Sequence, residues 1–325
     1  MEERLKHLYF ASCAQDGGIY HFQLLDDRFL SFCEKTSIDR PMYIIQEADR
    51  LFVLLRSPFG KTKESGLISF PIEEEGRLGN ASSVISTKGE VACHLCSFEG
   101  QTYAVNYASG SLFSTGGNLV VRHYGHGIDP KRQQDAHPHM VTPTPDGKFL
   151  MCTDLGLDRI FIYDKFLQEL SNVSSPAGNG PRHLCVLDCG HVACSDELSC
   201  TVSVYAYHQG VLEHEASLPL FEEAKTKGAT PAAIRLWNEH VYISVRGADV
   251  IVVFRWNQGK LEKVQTKSCE GKSPRDILIV DGILLCMNET SSTVTMFQLN
   301  GKGFIGNKIG NDLQIANVLC AVQGS

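Results

Sequence analysis

Glu197, Arg246 and Glu289 stand at the same point of a recurring pattern, each at the end of a short apolar run. Arg56, Tyr107 and Asp154 take that point in three further copies. Five of these six residues are charged, in a chain whose charged content is only 21%. A second recurring point opens the preceding apolar run and carries Met42, Cys93, His139, Arg182, Ala232, Arg275 and Asn317. Arginine presents a planar fork of donors that suits carboxylate and phosphate groups. Carboxylates and a histidine set among arginines can also move protons. Two in-phase sets of this kind predict a polar, anion-binding pocket. The bland alternative is a solvated loop position with compensating ion pairs.

The pattern that aligns these residues is a repeat. GNGPRHLCVLDCGHVACSDELSCTVSVYAY (178–207) reads as three antiparallel strands joined by tight turns, opened by Gly180-Pro181. SPRDILIVDGILLCMNETSSTVTMFQL (273–299) repeats it, with Pro274, Arg275, Glu289 and Thr293-Val294 matching Pro181, Arg182, Glu197 and Thr201-Val202. A weaker fourth strand follows each unit. The chain begins in mid-repeat, with LYFASC, GGIYHFQL and FLSFCEK as second, third and fourth strands. PMYIIQ, VACHLCSF, HPHMVTP and TPAAIRL open further units. In the third unit SGSLFSTGG reads as a Ser/Gly loop, and in the sixth FEEAKTKGA (221–229) as a loop with one helical turn. Cys13 and Ala14 mark the charged position in the first unit without a fixed phase. The leftover IANVLCAV supplies the inner strand that the N-terminal unit lacks. The expected fold is all-β: a single domain, 1–325, forming a seven-bladed β-propeller of four-stranded antiparallel blades. The C-terminal strand closes the ring on the N-terminal blade, and closure removes exposed sheet edges. No W-D signature is present.

Composition narrows the function. A net charge of −7 argues against a nucleic-acid surface. No apolar run approaches the ~18 residues of a membrane span. The charged start MEERLKHLYF is unlike a secretory signal. Twelve cysteines then suggest free thiols in a reducing compartment, and a cytoplasmic location is expected. No G-x-S-x-G occurs, and Gly60-Lys61-Thr62 lacks the glycine a phosphate loop needs at Leu55. Cys93-His94-Leu95-Cys96 has no second C-x-x-C to complete a zinc site. His137 and His139 form an H-x-H that no acidic or histidine cluster joins, so neither a metal nor a cofactor is expected.

At DPKRQQDAHPHMVTPTPDGKFLMCTDLGLDRIFIYD, GNGPRHL with DELSCTVSVY, SPRDI with NETSSTVTMF, and VNYASGS, the chain resembles the seven-bladed propeller lactonases. That family includes the propeller type of 6-phosphogluconolactonase and a muconate-lactonising cycloisomerase. The resemblance is strong over roughly 100–300 and rests on blade pattern alone before that. It implies a metal-free site of His139, Arg182, Glu197 and Arg246. The implied substrate is a small anionic lactone, 6-phosphogluconolactone above all. Glu197 or His139 would activate water, and Arg182 and Arg246 would stabilise the oxyanion. Arg275 would hold a phosphate or carboxylate, with Glu289, His183, Asp154, Tyr107 and Arg56 as further substrate contacts. A cycloisomerase and a non-catalytic binding propeller are the alternatives.

Overall fold

The computed structural model describes residues 6–25, 29–56, 62–222 and 228–324. The loop 221–229 and Gly60-Lys61 fall largely outside the described residues. Seven four-stranded antiparallel sheets form the blades. The first blade joins β28 (Val318–Gln323) to β1 (Lys6–Ser12), β2 (Gly18–Leu25) and β3 (Phe29–Thr36). The inner strands of the others are β4 (Pro41–Glu47), β8 (Ala92–Phe98), β12 (Pro138–Pro143), β16 (Pro181–Asp188), β20 (Thr230–Trp237) and β24 (Pro274–Val280). Each inner strand packs against the next, and β24 meets β28, so the ring is closed. Proline opens β4, β12, β16 and β24. It costs the ladder nothing at the first residue of an edge strand.

The blades are sandwiched between neighbours, so their strands read as continuous apolar runs rather than as alternation. In β17 (His191–Asp196), Val192 and Cys194 pack with Met151 and Ile160 of the fourth blade. Ala193, on the other face, packs with Ile234 and Val241 of the sixth. The third blade departs from the sequence expectation. The stretch read as a Ser/Gly loop contains β10 (Ser111–Ser114), buried along its whole length. Leu112 and Phe113 pack into adjacent clusters there, and packing overrides the weak strand preference of the serines.

One irregularity recurs in every blade. The pairing of inner to second strand skips a residue just after its start, a β-bulge. The residues left out are Met42, Cys93, His139, Arg182, Arg275 and, with its neighbour Ala233, Ala232. In the first blade the skipped residue is Leu319. A bulge re-aims a side chain without breaking the sheet. The first recurring position is therefore the bulge. Its seventh member is Leu319, not Asn317, which sits in the turn with φ 46° ahead of the strand.

The closing strand is also the most exposed dependency of the fold. It buries Val318, Leu319 and Cys320 and pairs with Leu8 through Ser12. Each large aliphatic side chain buried contributes about 1.5–3 kcal/mol. Deleting residues 317–325 strips the inner strand from the first blade and is expected to give insoluble protein or a large fall in Tm. A truncated chain that melts with the full one would refute the closure.

Candidate active site

In six of the seven blades the residue that follows the second strand donates its N–H to the carbonyl just before the inner strand. Cys13, Arg56, Tyr107, Leu155, Glu197 and Glu289 all make this bond, to Asn317, Arg40, Val91, His137, Gly180 and Ser273. Arg246, paired with Thr230, holds the corresponding place in the sixth blade. This fixes Cys13 as the first-blade member. It also corrects Asp154, which lies one residue early; the in-phase residue is Leu155. Side chains alternate faces along a strand, so a one-residue slip reverses direction. Asp154 is fully buried instead. It accepts from the N–H groups of His137, Gly156 and Leu157 at 2.8, 3.0 and 3.1 Å. It is also paired with His123 at 2.6 Å, so it fastens the turn above the fourth blade.

Glu197 is the centre of the arrangement. Its Oε2 accepts from Arg182 Nε and lies on Arg246 Nη2, both at 2.9 Å. Its Oε1 accepts from Arg132 Nη2 at 2.7 Å. Three guanidinium groups thus converge on one carboxylate. They come from the same blade, from the next, and from the loop before the fourth. Gly180 makes the approach possible. Its φ of +64° turns the chain into β16, and a Cβ there would lie 2.5 Å from Leu198. Asp158 holds that turn by accepting from Gly178 and Gly180, both at 2.7 Å.

Arg132 is the residue that reading the repeat missed, because it belongs to no repeat. It sits in the excursion GHGIDPKRQQDA, whose signal is Asp129-Pro130, a turn-forming pair. Asp129 Oδ1 accepts from the N–H of Lys131 and Arg132 at 2.8 and 3.0 Å. The fully buried Gln133 pins the loop by donating to Leu155 O at 2.9 Å. Arg132 itself is 40% exposed at the rim and also reaches the Tyr107 hydroxyl at 3.4 Å.

The remaining predicted residues divide. Tyr107 stacks on His137 at 4.3 Å and meets His139 edge-on at 5.8 Å. Arg275 pairs with Glu289 at 3.2 Å, a second and looser ion pair in the seventh blade. Arg56 is exposed and in phase. Opposite the three arginines, Cys13, Met42, Cys93 and Leu319 share an apolar cluster, with Arg56 beside them. His137 turns its Nδ1 to the Tyr107 carbonyl, at 2.9 Å, rather than sharing a ligand face with His139. Among the described residues, no three His, Cys, Asp or Glu side chains gather as metal ligands.

The chain matches the family profile of the lactonase seven-bladed β-propellers over residues 7–322. It belongs to that family. An uncharacterised Staphylococcus aureus protein is 29% identical over 311 residues, 87% of this chain and 89% of its own. Among solved structures, the Pseudomonas aeruginosa periplasmic gluconolactonase superposes with a TM-score of 0.87 at 23% identity, covering 99% of both chains. A Bacteroides fragilis protein provisionally named a 6-phosphogluconolactonase gives 0.89 at 22%, again over 99% of both. At these identities the structural likeness speaks for the fold. In the described part of this lactonase-family propeller no helix is long and apolar enough to cross a membrane.

Electrostatics in this lactonase-family site follow from burial among cations. Burial would raise the Glu197 carboxyl, but Arg246, Arg182, His139 and Arg132 hold it well below the usual carboxylate range. Burial and the neighbouring Arg246 push Arg182 down to about 9, so it stays charged at neutral pH. Burial and Arg182 keep His139 and His183 neutral, well below 6.5. Burial and Arg235 push His94 down to about 3. The three imidazoles run in a row, with His94–His183 and His183–His139 ring centres each 5.3 Å apart, and no Nδ1 has a partner.

Acidification favours the fold through Asp196, whose carboxyl burial raises to about 7, and through Asp276, also raised by burial, an effect opposed by the three histidines. Their folded pKa values lie below the unfolded 6.5, so the unfolded chain takes up protons first on acidification. The histidine contribution is complete above 6.5 and is lost progressively below it, for His94 down to about 3. Tm is expected to fall between about pH 7.5 and pH 5, and His94→Gln should flatten the fall. Scanning calorimetry across that range checks it; an equal slope in the variant would contradict it.

Proposed function

We propose that this protein hydrolyses an anionic sugar-acid lactone, with 6-phosphogluconolactone the best-fitting substrate. The observation that carries the reading is the set of three guanidinium groups gathered on Glu197 beside a neutral His139, in a chain of the lactonase family. The names of the gluconolactonase and 6-phosphogluconolactonase neighbours support the substrate class. Its free cysteines, all twelve within the described residues, fit a reducing compartment such as the cytoplasm.

Hydrolysis needs a base for water and charge at the carbonyl oxygen. Glu197, so strongly held as an anion, is a poor base, because basicity falls with pKa. His139 is also weakened as a base by burial and the arginines, but its Nδ1 has no partner, whereas both Glu197 oxygens are taken. The Glu197 charge also favours the imidazolium, so the water proton is given to His139. The hydroxide oxygen then bonds to the carbonyl carbon, and Arg182 and Arg246 stabilise the resulting oxyanion. Collapse breaks the ring C–O bond, and His139 returns its proton to the departing ring oxygen. The acid formed releases its own proton to solvent. Glu197 orients the arginines, while Arg132 at the rim and Arg275 within reach of Glu289 hold the remote anionic group.

Steady-state kinetics on the phosphorylated lactone, corrected for spontaneous hydrolysis, test these roles. His139→Ala should lower kcat by ~10²-fold or more, the usual scale for a lost general base. The acid limb of the wild-type profile should lie well below 6.5 and disappear in that variant. Glu197→Gln should lower kcat while keeping the limb, and Arg132→Gln should act mainly on KM. Exhaustive chelation should leave the rate unchanged. Full activity in His139→Ala with loss of the acid limb in Glu197→Gln would return the base to Glu197. If the wild type turns over no lactone, the hydrolase reading fails.

A further inference from the structure

Beneath the arginine cluster the axial channel narrows to a small cavity with two unlike walls. One wall is apolar: Met42, Cys93 and Leu319. The other holds Arg182, His183, Arg275 and Asp276, of which Arg182, His183 and Asp276 are exposed by only 2, 4 and 3%. Each of these three keeps a buried polar atom without a hydrogen-bond partner, namely Arg182 Nη1, His183 Nδ1 and Asp276 Oδ2. The rest of two of these side chains is tied down. Arg182 Nε is on Glu197, and Asp276 Oδ1 accepts from Arg235 Nη2 at 2.6 Å and from the Ile277 N–H at 2.9 Å. Buried polar atoms are rarely left unpaired, because water is no longer there to satisfy them. Three on one cavity wall, two of them on side chains that are otherwise fixed, mark a place for something that both donates and accepts. The space takes little more than one water-sized group.

We propose that this cavity is a hydroxyl-recognition pocket for one ring hydroxyl of the substrate. The hydroxyl donates to Asp276 Oδ2 and accepts from Arg182 Nη1, while the apolar wall closes the space behind it and the ring stays in the mouth above. The inference rests on the reading of the mouth as a sugar-lactone site and adds to it the residues that read one of the hydroxyls. Hydroxylated lactones are selected over aliphatic ones of equal ring size. Arg182 links the two functions, since the guanidinium that supports the oxyanion also reads the hydroxyl. A site built around a hydroxyl discriminates against the analogue that lacks it, because the pocket's polar atoms are then left unpaired.

The test compares kcat/KM for glucono-δ-lactone and δ-valerolactone in the wild type, Asp276→Asn and Leu319→Phe. The second variant fills the cavity from the apolar wall and alters no polar group, so it stands in should Asp276→Asn fold poorly. The wild type should prefer the hydroxylated lactone, and each folded variant should lower that preference about tenfold, the scale of one lost hydrogen bond to a charged group. An unchanged ratio in both variants means that a resident water fills the cavity, and overturns the proposal. Calorimetric binding of gluconate against hexanoate separates this from the hydrolase reading. A wild type that hydrolyses neither lactone, yet favours gluconate in a way the variants erase, keeps the pocket and loses the hydrolase. No preference for either hydroxylated compound in the wild type overturns the pocket.

Discussion

The carboxylate of Glu197 is the point on which the mouth of this propeller depends. Three arginines share it, and each arrives from a different segment of the ring. Unpaired, Arg182 would be an uncompensated charge with 2% of its side chain exposed, which is strongly destabilising. The mouth therefore assembles only when the fifth blade, the sixth blade and the loop before the fourth are all in place. The pairing does not neutralise the site. Three cations against one anion leave a net positive field, which suits an anionic ligand and holds the nearby imidazole uncharged.

The second constraint is geometric. An inner strand paired in strict alternation would aim only every other side chain at the axis. The bulge that recurs in each blade lets two successive residues face it. That is how Arg182 and His183, or Arg275 and Asp276, come to line one cavity. It also explains the division of labour around the ring. The same backbone device presents Arg182 in one blade and Leu319 or Met42 in others, so polarity is chosen blade by blade without cost to the frame.

Much of this was legible in the sequence, because the frame is a repeat. The blade count, the closing strand and the bulge positions from Met42 to Arg275 follow from aligning one unit on another. The misses have physical causes. Asp154 ends its apolar run as an acidic residue, like Glu197, but its counterpart is Asp196, and parity turns it inward. Asn317 was placed by counting, two residues short, where the unit has no proline to mark the strand's first residue. Arg132 lies in an excursion between blades that no periodicity constrains. The proposal of His139 rather than Glu197 as base rests on how many arginines reach the carboxylate, which no spacing reveals.

The closing strand has a consequence in time as well as in space. Gly324 donates its N–H to the carbonyl of His7 at 2.6 Å, so the first and last strands described lie side by side. Contacts this distant in sequence are the last that a growing chain can make, and long loops close slowly. During synthesis β1, β2 and β3 must wait as an incomplete sheet with an open inner edge. Such an edge recruits other strands. The same latch that makes the finished ring edgeless thus makes its nascent form the most adhesive state of the molecule. Arrival of the closing strand then decides how long that edge stays open.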